Sequence, residues 1–170
     1  RQTSYQAVAC SRSRRKGPAM TIAHLPSPVG DLELEERDGA LVRLSWASGD
    51  AAPSTPLLQE AARQIAAYFA GELTAFDLPL APAGNAFRQD VYRAMLAIPR
   101  GETATYGEIA KALGTSAQPV GQACGGNPIP IVIPCHRVVS ATGLGGFSGA
   151  GGVETKIALL RLEGGFRFLL

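Results

Sequence analysis

Apolar and polar residues alternate along the first patterned part of the chain. A short apolar segment at 21–25, a turn at 27–30 and two alternating segments at 31–36 and 41–46 follow one another. A period of two is typical of strands with one buried face, and Asp38-Gly39 predicts a tight hairpin between the last two. The apolar face of the two alternating segments consists of Leu32, Leu34, Val42, Leu44 and Trp46. The pattern predicts a three-stranded antiparallel meander.

The apolar period lengthens to that of a helix after residue 54. Thr55 followed by Pro56 predicts the cap and first position of a helix that continues to Ala70. Its predicted apolar stripe consists of Leu57, Leu58, Ala61, Ile65, Tyr68 and Phe69. The proline-rich segment 79–84 predicts a connection. We therefore divide the chain into an N-terminal lobe, residues 20–84, and a C-terminal lobe, residues 85–170.

The C-terminal lobe begins with helical signals. Asn85 is a cap for a predicted helix over 87–97. Thr105 and Glu108 have the spacing of a capping box, and the short helix that they begin ends at Gly114. Ser116 begins another helix that extends to about residue 124. Two short helices joined by a tight glycine turn predict a helix-turn-helix, although many pairs of core helices share this pattern.

Charge is distributed unevenly along the 170 residues. Residues 1–19 carry five basic residues and no acidic one, without helical or strand periodicity, so we expect a disordered basic arm. Residues 20–85 carry nine acidic and three basic residues, whereas residues 86–170 carry eight basic and five acidic ones. The C-terminal half is therefore the better candidate to meet a polyanion, although the excess is mild.

Cysteine and histidine usage excludes several classes of protein. Three cysteines are an odd number and have no paired spacing, which argues against a disulfide framework and for a reducing compartment. Cys and His do not recur at zinc-ligand spacings, so we predict no metal site and no cofactor. An apolar run of about 18 residues is also missing, so we expect no membrane span.

Candidate chemistry is concentrated at 125–139. Prolines at 128, 130 and 134 exclude a helix, and the apolar residues 131–133 predict burial, so the segment presents Cys135 on a stiff backbone. His136 and Arg137 favour a reactive thiolate. A lone cysteine among apolar residues is also commonly a core residue, and His136 could be structural. If this segment is a strand, His136 reaches Cys135 only around a turn or through a water.

The segment resembles a known active-site signature. Asn127-Pro128-Ile129-Pro130 followed by Pro134-Cys135-His136-Arg137-Val138 is similar to the signature of the O6-alkylguanine-DNA alkyltransferases, also called methylated-DNA–protein-cysteine methyltransferases. Further matches lie in family order at 87–98, 105–110, 120–121, 143–148 and 163–164. The resemblance covers nearly the whole chain outside the basic arm.

The resemblance implies a role for each matching residue. Cys135 would accept the alkyl group of O6-alkylguanine once per protein molecule, and O4-alkylthymine stays an open second substrate. His136 would activate Cys135 through a water, Glu163 would orient His136, and Asn127 would brace the turn before the site. The implied substrate-binding residues are Tyr106, Ser148, the carbonyl of Val138, Gln118 and Arg137. The family usually has arginine at position 118 and often tyrosine at position 147, where this chain has Gln118 and Phe147.

The resemblance also implies a fold and a partner. We expect a ribonuclease H-like α/β N-terminal lobe followed by a mainly helical, winged helix-turn-helix lobe. The implied partner is double-stranded DNA whose alkylated guanine is flipped out through the minor groove, bound by a monomer in the nucleoid of a bacterium or the nucleus of a eukaryote. Two alternatives stay open: a non-catalytic sensor of alkylguanine lesions, which Cys135 argues against, and a cysteine hydrolase, for which an oxyanion loop is not evident.

Overall fold

A computed structural model describes residues 19–165. The predicted arm, apart from Ala19, lies outside the described residues. The strands are β1 (Met20–Leu25), β2 (Leu32–Arg37), β3 (Ala40–Trp46), β4 (Ala104–Thr105) and β5 (Val138–Val139). The helices are α1 (Pro56–Phe69), α2 (Ala86–Leu96), α3 (Tyr106–Leu113), α4 (Ala117–Gly125) and α5 (Val153–Glu163), and Cys135–Arg137 forms a single 3₁₀ turn before β5.

Strands β1, β2 and β3 form the predicted antiparallel meander in that order. Asp38 and Gly39 both have positive φ, 51° and 76°, as a tight hairpin of matching twist requires. The predicted inward position of Val42 is wrong, because a bulge opposite Glu35 and Glu36 leaves Val42 without a pairing residue. The bulge breaks the alternation, so Leu41 is buried in its place, together with Leu44.

Helix α1 covers the buried face of this sheet and contacts all three strands. The side chain of Thr55 accepts a hydrogen bond from the amide of Leu58, and Pro56 occupies the first turn, as the sequence predicts. Most of the predicted stripe is buried, and the polar Gln64 is buried with it because its amide pairs with the backbone of Asp77.

The C-terminal lobe is mainly helical. Asn85 caps α2, and Thr105 with Glu108 forms the predicted capping box of α3. Gly114 ends α3 with φ 67°, and α4 follows after two residues and packs on both α3 and α2. The predicted pair of short helices is therefore present, beside the short parallel pair formed by β4 and β5.

One hydrophobic cluster runs through both lobes. The amide of Leu44 in β3 donates to the carbonyl of Pro128 at 3.0 Å, so the sheet is bonded directly to the proline-rich segment of the C-terminal lobe. The exact division at residues 84 and 85 stays a prediction. Among residues 19–165, none of the helices combines the length and apolar character needed to cross a membrane.

Candidate functional site

The segment between α4 and Cys135 is buried and tightly braced. The side chain of Asn127 accepts a hydrogen bond from the amide of Ile129 at 3.0 Å and donates one to the carbonyl of Ile133 at 2.8 Å. It therefore links the backbone at the two ends of the segment. Ile131 has φ 73°, a left-handed conformation that strains a β-branched residue. Such strain persists only where the surroundings hold it, and here Asn127 and the apolar core do so.

This bracing delivers Cys135 at the start of the 3₁₀ turn. Its side chain is 6% exposed. Burial raises the pKa of the Cys135 thiol, while a hydrogen bond from the Asn127 side chain and the charge of Lys156 act in the opposite direction without reversing the effect. The resting group is therefore a thiol, and it needs a base to become a nucleophile.

His136 is 0% exposed and lies in the same turn, so the chain does not continue here as a strand. Its Nε2 atom is 2.7 Å from Oε1 of Glu163, which assigns the ring proton to Nε2 and leaves Nδ1 as the acceptor. Nδ1 is buried and has no hydrogen-bond partner among the described atoms. Burial lowers the pKa of His136, and the neighbouring Glu163 only partly offsets this effect, so the ring is neutral and able to take a proton.

Glu163, the last residue of α5, is held by several donors at once. Its Oε1 accepts from His136, from Nη2 of Arg137 at 2.9 Å and from the hydroxyl of Tyr68 at 2.7 Å, and its Oε2 accepts from Nε of Arg137 at 3.0 Å. Burial alone would raise the pKa of this carboxyl, but the hydrogen bonds from His136 and Arg137 lower it to about 2. Glu163 is therefore a carboxylate of fixed orientation.

The side chain of Arg137, which the resemblance implies as a substrate contact, bonds Glu163 in this structure. Its guanidinium is buried, with two bonds to Glu163 and one from Nη1 to the carbonyl of Ile98 at 2.7 Å. A planar guanidinium suits this paired geometry. Arg137 therefore holds the carboxylate of Glu163 in this structure, and its implied place among the substrate-binding residues stays a prediction.

Lys156 is a buried cation that the sequence pattern did not single out. It is 0% exposed, and its ammonium donates to the carbonyls of Val138 at 2.6 Å and Gly146 at 3.1 Å. Burial lowers its pKa to about 8, while the two thiols, Cys135 and Cys124, raise it. Its place on α5 carries a usable signal, because it falls on the same buried stripe as Thr155, Leu159, Leu160 and Glu163.

The other predicted residues surround this centre at different depths. Tyr106, half-buried at the start of α3, has its ring 5.9 Å from the ammonium of Lys156, and burial with the nearby thiols raises its pKa to about 12. Val138 is buried, and its carbonyl is already bonded to Lys156. Ser148 is exposed beside a cleft of about 400 Å³ that Asn127 also lines.

Gln118, the second residue of α4, is exposed. It therefore lies on the outer surface of the helix-turn-helix and is not part of the buried group formed by Cys135, His136 and Glu163.

The residues brought together define a thiol acceptor beside a neutral histidine and a fixed carboxylate, next to a helix pair. Within residues 19–165, no group of three or more His, Cys, Asp or Glu side chains could hold a metal ion. Family models agree with this arrangement. Residues 20–82 match the ribonuclease-like domain of 6-O-methylguanine DNA methyltransferase, and residues 86–165 match its DNA-binding domain. The chain belongs to the 6-O-methylguanine DNA methyltransferase family.

Individual relatives are similar over most of their length. The methylated-DNA–protein-cysteine methyltransferase of Methanosarcina acetivorans is 42% identical, with 85% of this chain and 99% of that protein aligned. The protein of the same name from Mycolicibacterium paratuberculosis is 46% identical, with 81% and 88% aligned.

Among solved structures, the Mycobacterium tuberculosis O6-methylguanine methyltransferase has a TM-score of 0.77 and 41% identity, covering 86% of this chain and 93% of that one. The M. tuberculosis OGT structure in complex with DNA has a TM-score of 0.75 and 43% identity, covering 84% and 92%. The predicted family and fold class are confirmed.

Proposed function

We propose that this chain repairs DNA directly by taking the alkyl group of O6-alkylguanine onto Cys135, once per molecule and without metal or cofactor. The proposal rests on a braced, buried thiol that lies in the same 3₁₀ turn as a neutral His136 whose Nε2 is bound to Glu163. This is the nucleophile, base and orienting group of covalent catalysis in a buried setting.

The chemistry follows from these groups. His136 takes the thiol proton at Nδ1, and the family resemblance implies that a bridging water carries this proton. Glu163 stabilises the imidazolium that forms. The sulfur attacks the alkyl carbon in line, a C–S bond forms, and the bond from that carbon to O6 breaks with its electron pair retained by guanine. Tyr106 keeps its proton, because its pKa is raised to about 12, and can donate a hydrogen bond to the departing purine. The thioether product offers no hydrolytic leaving route, so the thiol is consumed.

Burial of the acceptor sets how the substrate must arrive. A thiol that is 6% exposed cannot reach an atom within stacked DNA, so the target base has to be rotated out of the duplex and into the protein. Helix α4 of the helix-turn-helix is the element that we expect to enter the minor groove, and Gln118 lies exposed near its start. The M. tuberculosis relative in complex with DNA supports this partner. Such a protein would work where the cell keeps its DNA, in a bacterial nucleoid or a eukaryotic nucleus.

Mass spectrometry of the intact protein tests the proposal. After incubation with an oligonucleotide that contains O6-methylguanine, we expect each molecule to gain one methyl group, which peptide mapping places on Cys135. Cys135→Ala should gain none and still bind the oligonucleotide. Cys124→Ala is the matched control, because Cys124 is equally buried but bonds Met95, and it should gain the methyl group normally.

Three outcomes would contradict the proposal. An unchanged mass would favour the lesion sensor or the hydrolase over the transferase. Methylation of Cys124 with Cys135 intact would move the acceptor. Conversion of more than one equivalent of O6-methylguanine to guanine in the oligonucleotide per protein molecule would exclude a single-use mechanism.

A further inference from the structure

Glu163, which holds His136, receives a hydrogen bond from the N-terminal lobe. Tyr68 lies near the end of α1 in the N-terminal lobe, 95 residues before Glu163 in the chain, and its hydroxyl donates to Glu163 Oε1 at 2.7 Å. The sequence pattern predicts Tyr68 only as one residue of an apolar stripe. We infer that Tyr68 is a positioning residue for alkyl transfer, through which the N-terminal lobe orients the carboxylate that holds His136. The inference rests on the proposed role of Cys135.

The surroundings of Tyr68 fix its hydroxyl in one place. The side chain is 1% exposed, and its ring packs against Phe69 and Phe76 with centroids 5.1 and 5.3 Å apart. A buried tyrosine hydroxyl needs a partner, and Glu163 is the partner that the structure provides. Burial and the charge of Glu163 raise the pKa of Tyr68, so the hydroxyl stays protonated and acts only as a donor.

A second link holds the same two regions together. Arg100 lies over the Tyr68 ring at 5.1 Å, and it donates to the carbonyl of Leu73, after α1, at 2.7 Å and to that of Leu162 at 3.2 Å. Leu162 immediately precedes Glu163. The end of α5 is therefore fastened to the N-terminal lobe by a backbone contact and a side-chain contact, which restrict both the position and the rotation of the carboxylate.

The hydroxyl of Tyr68 bonds the same carboxylate oxygen of Glu163, Oε1, that holds His136. Oε1 of Glu163 accepts from Tyr68, from His136 and from Nη2 of Arg137, so these donors share its negative charge. Removing the Tyr68 donor makes Oε1 a stronger acceptor for His136 and loosens its orientation. The looser carboxylate aligns the ring less well for taking the thiol proton, which slows transfer. The added negative charge on Oε1 also raises the pKa of His136, so a protonated ring that cannot accept the thiol proton persists to a higher pH. The charged groups that face this pair are Arg100, Arg137 and Lys156.

The test compares two tyrosines. Tyr68→Phe removes only the hydroxyl that reaches Glu163. Tyr92→Phe is the matched control, because Tyr92 is also 1% exposed but its hydroxyl donates to the carbonyl of Ala83 at 3.4 Å. Single-turnover transfer from free O6-benzylguanine is followed by intact mass from pH 5 to pH 9, which isolates the chemistry from base flipping. We expect Tyr68→Phe to react on the order of tenfold more slowly at neutral pH, and the acidic limb of its rate profile to move to higher pH. Tyr92→Phe should match the wild type.

Several results would overturn the inference. One is an unchanged rate for Tyr68→Phe, and another is a slower Tyr68→Phe whose pH profile does not move. A third is equal slowing by Tyr68→Phe and Tyr92→Phe, which would indicate a loss of packing. A failure of the proposed function is distinct, because the wild type itself would then gain no benzyl group at Cys135.

Discussion

Replacing Glu163 by glutamine should affect stability and rate by separable mechanisms. Glutamine keeps the shape of the side chain but removes its charge. Arg137 would then be a buried guanidinium without a carboxylate, and breaking a buried pair in this way costs about 3–5 kcal/mol. His136 would lose the charge that stabilises its protonated form. One substitution therefore perturbs the fold through Arg137 and the chemistry through His136.

The pKa of Glu163 gives an independent magnitude. Its fall from 4.5 to about 2 corresponds to about 3 kcal/mol of stability, by the relation of 1.36 kcal/mol per pH unit. Because the folded pKa lies below the unfolded one, this stability is present above pH 4.5 and is lost as the pH falls through 2. The stability linked to the pKa of Glu163 and the cost of leaving Arg137 unpaired are therefore of similar size. For a chain of this length, 3–5 kcal/mol corresponds to a fall in Tm of roughly 6–20 °C.

The assay combines thermal unfolding with single-turnover transfer. Glu163→Gln should melt lower than the wild type at pH 7, and the gap should narrow towards pH 2, where the wild-type carboxylate is protonated. The double variant with Arg137→Met removes the unpaired cation and should recover most of the loss in Tm. Transfer from O6-benzylguanine should be about 10²–10⁴-fold slower in both variants, because neither provides the carboxylate.

Three results would contradict separate roles of Glu163 in folding and in chemistry. A double variant that regains the wild-type rate along with its Tm would show that Glu163 acts only through folding. A single variant as stable as the wild type would mean that the buried Arg137 is solvated in another way. An unchanged rate in Glu163→Gln would leave activation of Cys135 to His136 and the backbone.

Two further substitutions test the buried cation and the exposed helix. Lys156→Met should slow transfer from O6-benzylguanine by roughly tenfold at pH 7, because the thiolate of Cys135 loses a nearby positive charge. The rate deficit should shrink above pH 8, where Lys156 of the wild type is itself neutral. A rate deficit that stays constant across pH would refute this role. Gln118→Arg should speed repair of duplex DNA but barely change the reaction with free O6-benzylguanine. The reason is that arginine stacks and hydrogen-bonds better than glutamine in the space left by an extruded base. Equal rate changes on both substrates would show that position 118 does not assist extrusion.

Local signals predicted most of the fold. The capping box of Thr105 and Glu108, the Asp38-Gly39 hairpin and the cap at Thr55 each depend on residues a few positions apart, and each is present. The burial of Val42 was predicted wrongly, because a bulge depends on how two strands pair and does not follow from either strand alone.

The site divides in the same way. Cys135 and His136 stand out because their proline-framed segment is contiguous. Tyr68 does not stand out, since its partner is 95 residues away and a buried tyrosine looks like any other member of an apolar stripe. Adjacency of Arg137 to Cys135 likewise does not reveal that its guanidinium bonds Glu163, 26 residues away in the chain. Lys156 could have been found only by noting that a charged residue falls on the buried stripe of α5.

The hydrogen bond from Leu44 to Pro128 has a consequence for any attempt to split the protein. Strand β3 lies at the edge of its sheet, and its outward groups are bonded to Pro79, Ala81 and Pro128. Exposed edges of this kind template pairing with other chains. Residues 20–84 produced alone would therefore leave part of the edge of β3 unpaired and prone to aggregation. The segment that presents Cys135 thus also protects the N-terminal sheet from edge-to-edge pairing.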